Sequence, residues 1–272
     1  MRAELAGGET GGKLAPGEVE VIPGDPATGI LLLCDHATNA IPPELNALGM
    51  PPAQLERHIA YDIGAAEMTR AMARALGAPA LLSNFSRLLI DPNRGLDDPT
   101  LVMRLSDGAI VPGNRHLDEA GIAARIARYY APYDAAIDAA IETALAAGYP
   151  PAIVSMHSFT PFWKSAARPW HVGVLWDREG ALSQLLIAAL QQEPDLVVGD
   201  NEPYRGGLPG DTIDRHATRR GLPDTLIEVR QDLIASDETA RDWGLRLARI
   251  LPSCVTALRQ GGARSGLRHC VC

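Results

Sequence analysis

Residues 29–34 read GILLLC, a run with no polar side chain. A strand with one face in water alternates apolar and polar residues. A run this short and this uniformly apolar fits a strand buried on both faces. Such a strand needs a packed layer on each side of its sheet, which is the arrangement of α/β proteins. The rest of the chain repeats the pattern. Apolar stretches at 80–83, 153–156, 171–175, 196–198 and 225–229 are short enough to be strands. Between them, residues 63–76 space apolar side chains at helical intervals and meet a stop at Gly77. An Ala-rich helical stretch covers 117–147 with a break near Pro132, and further helices cover 181–192 and 238–251. This alternation predicts an α/β fold, a three-layer α/β/α sandwich around a mostly parallel central sheet.

No low-complexity linker or internal repeat divides the chain, so 26–260 reads as a single domain. A Gly-, Pro- and Glu-rich lead-in (1–25) and a loose basic tail (261–272) flank it. Net charge is −8, which argues against a nucleic-acid partner. The first residues lack the apolar stretch of a secretory signal, and no segment is long enough to span a bilayer. The four cysteines, Cys34, Cys254, Cys270 and Cys272, form no evident disulfide framework. These features predict a cytoplasmic protein acting on a small molecule; oligomeric state is left open.

The polar residues that stand out follow the apolar runs: Asp35 and His36, His157 and Ser158, Asp177, Asp200 and Asn201. Ligands of open α/β sheets bind beyond the carboxyl ends of the strands. His36 and His157 on separate strand ends are candidate zinc ligands, and Asn39 can reach the same point on a tight turn. The alternative is that each histidine is a satisfied structural residue. In SRLLIDPNR (86–94), Arg94 matches a carboxylate in two parallel hydrogen bonds, Asn93 adds an amide donor and Arg87 serves a second anionic oxygen. A turn at Asp91–Pro92 with surface ion pairs is the plainer reading. Glu228 lies among apolar strand residues; it is either a general base with a raised pKa or the partner of an arginine such as Arg230. His58 and Asp62 are spaced to share one helix face, as a metal pair or as a helix start packed beneath the site. His216, in a basic stretch after the glycines at 206–210, reads as part of a lid over the substrate.

In order, DHATNAIP (35–42), HIAYDIGA (58–65), SRLLIDPNRG (86–95), SMHSFTP (155–161), GVLWDR (173–178), VGDNEPYRG (198–206) and HATRRGLPDTLIEVRQDLI (216–234) resemble the N-formylglutamate amidohydrolase family. The resemblance implies a zinc-carboxypeptidase-like fold with a mixed sheet and one zinc ion per chain. It also implies hydrolysis of a small N-acyl acidic amino acid, N-formyl-L-glutamate above all, in histidine degradation. By the same resemblance, His36 and His157 are metal ligands, Asn39 stands where the metal glutamate is expected, and Asp35 is the alternative third ligand. Glu228 is the catalytic glutamate and Arg87 the oxyanion arginine. Asn93 and Arg94 clamp the substrate carboxylate, with Ser158, Asn201 and His216 also on the substrate. Arg168, Arg178, Arg205 and Arg219 are open candidates for a second carboxylate. Two other readings stay open: a deacylase or carboxypeptidase-like hydrolase of another N-acyl amino acid or small peptide, and a binder of acidic metabolites that has lost its metal.

Overall fold

The computed structural model describes residues 14–177 and 180–266, with side chains to 261. Arg178, His269, Cys270 and Cys272 lie outside the described residues. Among those described, the central sheet has strands β1 (Glu20–Ile22), β2 (Ile30–Cys34), β3 (Ala80–Leu82), β4 (Ala152–Phe159), β5 (Val172–Leu175), β6 (Val198–Asp200) and β7 (Asp224–Arg230). Their order is β1-β3-β2-β4-β7-β5-β6. The pairs β2–β3, β2–β4, β4–β7 and β5–β6 are parallel; β1–β3 and β5–β7 are antiparallel. The sheet is thus mixed and mostly parallel, as the alternating pattern predicts.

Among the described residues, the α-helices of five or more residues are α1 (Ala65–Leu76), α2 (Glu119–Arg125), α3 (Ala131–Ala146), α4 (Ala181–Leu190), α5 (Thr212–His216) and α6 (Asp237–Gly266). Side chains alternate across a strand, and β2 displays that alternation in full. Ile30, Leu32 and Cys34 join one core with Met68 and Met72 of α1, Leu186 of α4 and Leu251 of α6. Leu31 and Leu33 join a second core with Tyr133, Ile137 and Ile141 of α3. These are the two covering layers required by the uninterrupted apolar run. No helix of the described residues is long and apolar enough to cross a membrane.

The differences from the sequence reading are local. Part of the expected lead-in is an edge strand, β1, pairing Val21 with Leu81 of β3. The expected break near Pro132 is a five-residue π turn, Ile126–Tyr130, that joins α2 to α3. It leaves Pro132 in the first turn of α3, where a missing N–H costs least. The last helix continues past Leu251, through Pro252, to Gly266.

Candidate active site

The second core layer turns polar toward the carboxyl ends of the strands. On β4 the residues facing that layer run Ile153, Ser155, His157, and on β7 Glu228 stands in register with His157. Residues in register on neighbouring strands share a face, so both side chains project toward the same end of the sheet. His36 follows β2 on a turn whose carbonyl accepts the Asp62 N–H at 2.9 Å. This backbone bond carries Asp62 to the strand ends, just before α1. Residues 56–64 form turns, not a helix, so His58 and Asp62 share no helix face.

His36, Asp62 and His157 offer three ligand atoms within 4.8 Å of one another, all buried. Asp62 Oδ2 lies 3.3 Å from His36 Nδ1 and 2.8 Å from His157 Nδ1. The far nitrogens are held from behind. His36 Nε2 donates to Asp91 Oδ1 at 2.7 Å. His157 Nε2 lies 2.9 Å from Ser155 Oγ, which donates to Asp35 Oδ2. Asp35 in turn accepts from Tyr133 at 3.0 Å. A carboxylate behind each imidazole fixes its tautomer and aims the other nitrogen, the common arrangement around metal-binding histidines.

Burial by itself would raise the pKa of Asp62, but the imidazoles of His36 and His157 override it and hold the carboxyl far below the usual range. Asp91 is likewise held low against burial by Arg87 and His36. Glu228 behaves in the opposite way. Burial pushes its carboxyl up to about 7, and Asp62 adds to the rise against the pull of His157, His36 and Arg87. Its Oε2 is buried without a hydrogen-bond partner. The alternative ion pair with Arg230 does not form, because Arg230 binds Asp232 at 2.8 Å.

His36, Asp62, His157 and Glu228 line a cleft of about 340 Å³ together with Arg87, Asn93, Arg94, Ser158 and Arg205. Arg87 is gripped by Asp91 at 2.8 Å and approaches Asp62 at 3.5 Å. Asn93 accepts the Thr212 N–H through Oδ1 at 3.0 Å, so α5 supports Asn93. Arg94 donates to the Asn93 carbonyl and to Thr100 Oγ1. Ser158 donates its hydroxyl to the Ile63 carbonyl at 2.8 Å.

Three expected site residues are not brought into the cleft. Asn39 donates its amide to the Leu55 carbonyl at 2.9 Å and lies away from the two imidazoles. Asn201 accepts from the Trp176 and Gly206 N–H groups, which makes it a loop brace. His216 is buried between Asp134 and Asp138 of α3, each 2.8 Å away, and pins α5 instead of capping the substrate. Conversely, the sequence reading gave Asp62 and Asp91 too little weight. Both lie inside the matched motifs, and an aspartate beside apolar residues just before a helix or a proline was the available signal.

Residues 28–235 match the family FGase, N-formylglutamate amidohydrolase. A crystal structure of a gene product from Agrobacterium tumefaciens superposes with a TM-score of 0.82 at 30% identity, over 89% of this chain and 96% of that one. The N-formylglutamate amidohydrolase from Ralstonia eutropha superposes with a TM-score of 0.67 at 22% identity, over 88% and 98%. No curated protein sequence matches. The match over most of the chain, on the strands and turns that carry this cleft, shows that the chain belongs to the N-formylglutamate amidohydrolase family, hydrolases of carbon–nitrogen amide bonds.

Proposed function

We propose that the chain hydrolyses an N-acyl acidic amino acid, N-formyl-L-glutamate to formate and L-glutamate, with one zinc ion held by His36, Asp62 and His157. The observation that carries this reading is the position of Asp62 Oδ2 between two Nδ1 atoms, beside a buried glutamate oxygen that has no partner. The donors fit zinc: two imidazoles and a carboxylate leave a coordination position open for water or substrate. Asn39, the one feature that argued for a binder without metal, has its amide engaged elsewhere.

When bound, zinc would polarise the scissile carbonyl and acidify water enough to ionise at about pH 7. Glu228, with a pKa pushed up to about 7, can take a proton from water and return it to the departing nitrogen. Arg87, fixed by Asp91, supplies positive charge to the developing oxyanion. Asn93 and Arg94 receive the substrate's α-carboxylate, with the Asn93 Nδ2 making no protein hydrogen bond among the described residues. Holding that carboxylate fixes the amide relative to the metal ligands and Glu228. Metal analysis of protein purified without chelator, together with an assay for formate released from N-formyl-L-glutamate, tests the reading. Zinc at one per chain and stoichiometric formate are expected; metal-loaded protein that releases no formate refutes the substrate.

A further inference from the structure

We propose that Arg205 binds the side-chain carboxylate of the substrate and thereby makes the cleft selective for a doubly anionic amino-acid derivative. This assignment rests on the function proposed above and names the residue that recognises the second charge.

The arginines of the cleft divide by partner. Arg87 already has carboxylate partners, Asp91 and Asp62. Arg94 donates only to the uncharged Asn93 carbonyl and Thr100 hydroxyl. Arg205 makes no hydrogen bond or ion pair among the described residues. Two cations without carboxylate partners therefore face one small cleft, and a dianion matches them. The other described candidates are engaged elsewhere. Arg168 is surrounded by Phe159, Trp163 and Tyr204 and donates to Thr160. Arg219 pairs with Asp214 at 2.7 Å.

The base of Arg205 is fixed although its head is free. Asn201, in the left-handed region at φ 52, accepts through Oδ1 from the N–H groups of Trp176 at 2.9 Å and Gly206 at 3.2 Å. One amide oxygen thus ties the residue after Arg205 to the end of β5. Gly206 packs so closely there that a Cβ would come within 2.6 Å of the Trp176 backbone. A guanidinium on an anchored loop can meet a carboxylate in two parallel hydrogen bonds, with its own side chain left to order and the backbone already in place. Arg205 is itself exposed; its place in the cleft lining and the anchored loop beneath it set it apart from a freely solvated surface arginine.

The test compares wild type with Arg205→Gln on N-formyl-L-glutamate and on N-formyl-L-glutamine, its uncharged isostere. Calorimetric binding of L-glutamate and L-glutamine runs in parallel. Wild type should favour the acid in both measurements. In the variant that preference should shrink about 10- to 100-fold, chiefly through KM, as expected for loss of a charge-assisted hydrogen bond. Arg205→Lys should retain part of it, since the charge remains and the paired geometry is lost. An acid-over-amide ratio within about twofold of wild type in both turnover and binding would overturn the assignment. The two proposals can fail separately. If wild type cleaves no formyl amide but its preference for glutamate disappears in the variant, the reaction is wrong and Arg205 stands. If wild type cleaves N-formyl-L-glutamate and the ratio does not move, the reverse holds.

Discussion

Glu228 and Asp62 are both buried acids a short distance apart, yet their environments drive them to opposite protonation behaviour. Asp62 faces two imidazoles and stays ionised, as a ligand must; Glu228 has an unpartnered oxygen and sits near the pKa of a proton shuttle. Glu228→Gln keeps the shape and removes the shuttle. Turnover should fall by at least about 100-fold while zinc content stays at the wild-type level, read by metal analysis and formate release on the same preparation. Asp62→Ala should empty the metal site, whereas Asn39→Ala should leave its occupancy intact. Equal zinc loss in both variants would return Asn39 to the site. The contrast also marks the limit of the sequence reading. His36, His157, Arg94 and Glu228 were legible because polar groups stand out at the ends of apolar runs. Asp62 was weighed only as a partner of His58, because its place beside His36 and His157 depends on a backbone bond to His36, which spacing along the chain does not reveal.

At the scale of elements, the strands and long helices were legible because burial on both faces of a sheet leaves uninterrupted apolar runs. The strand β1 was not, having three residues and only one pairing edge. Helix α5 was misread as a mobile lid: its basic, glycine-flanked sequence conceals the aspartates of α3 that hold His216 and Arg215. The N-cap of α5 has a further consequence. Asp211 accepts the Asp214 N–H at 2.7 Å, but burial pushes its carboxyl up from 3.8 to about 6. Between those values the unfolded chain releases the proton and the folded chain retains it. Stability therefore falls as pH rises from about 4 to about 6 and stays lowered above that. Asparagine caps a helix about as well and carries no charge. Asp211→Asn should stabilise the protein at pH 7 by up to about 3 kcal/mol and make no difference at or below about pH 4. Urea unfolding at both pH values, with chelator present throughout, gives the comparison. A gain of equal size at both would show that the substitution acts through packing.

Across the whole molecule, the charge around the strand ends is unbalanced without a cation. Asp35, Asp62 and Asp91 are buried and all three are held below the ordinary carboxylate range despite that burial. Among the described residues, Arg87 is the only arginine ion-paired with this group, to Asp62 and Asp91. Without a metal, and against burial, the Asp35 and Asp62 carboxylates hold His157 protonated, well above the ordinary imidazole range, so a proton meets part of the deficit. With both histidines neutral as ligands, three negative charges against one positive leave a deficit of two, the charge of one zinc ion. Leaving charge uncompensated in a buried site costs several kcal/mol, and these acids tie β2 to β4 through Ser155 and α3 to β2 through Tyr133. The metal site is thus expected to act as a structural brace as well as a reaction centre. A ligand that binds only the folded chain stabilises it by about 2.7 kcal/mol at a concentration 100 times its Kd. For a chain of this size that corresponds to roughly 5–10 °C in Tm. Chelation should lower Tm by that amount and added zinc should restore it. Asp62→Asn removes both a ligand and one of the three charges, so it should lose most of the zinc response while the chelated form melts no lower than chelated wild type. A wild-type Tm unmoved by chelator, with metal removal verified, would show that protons already supply the missing charge.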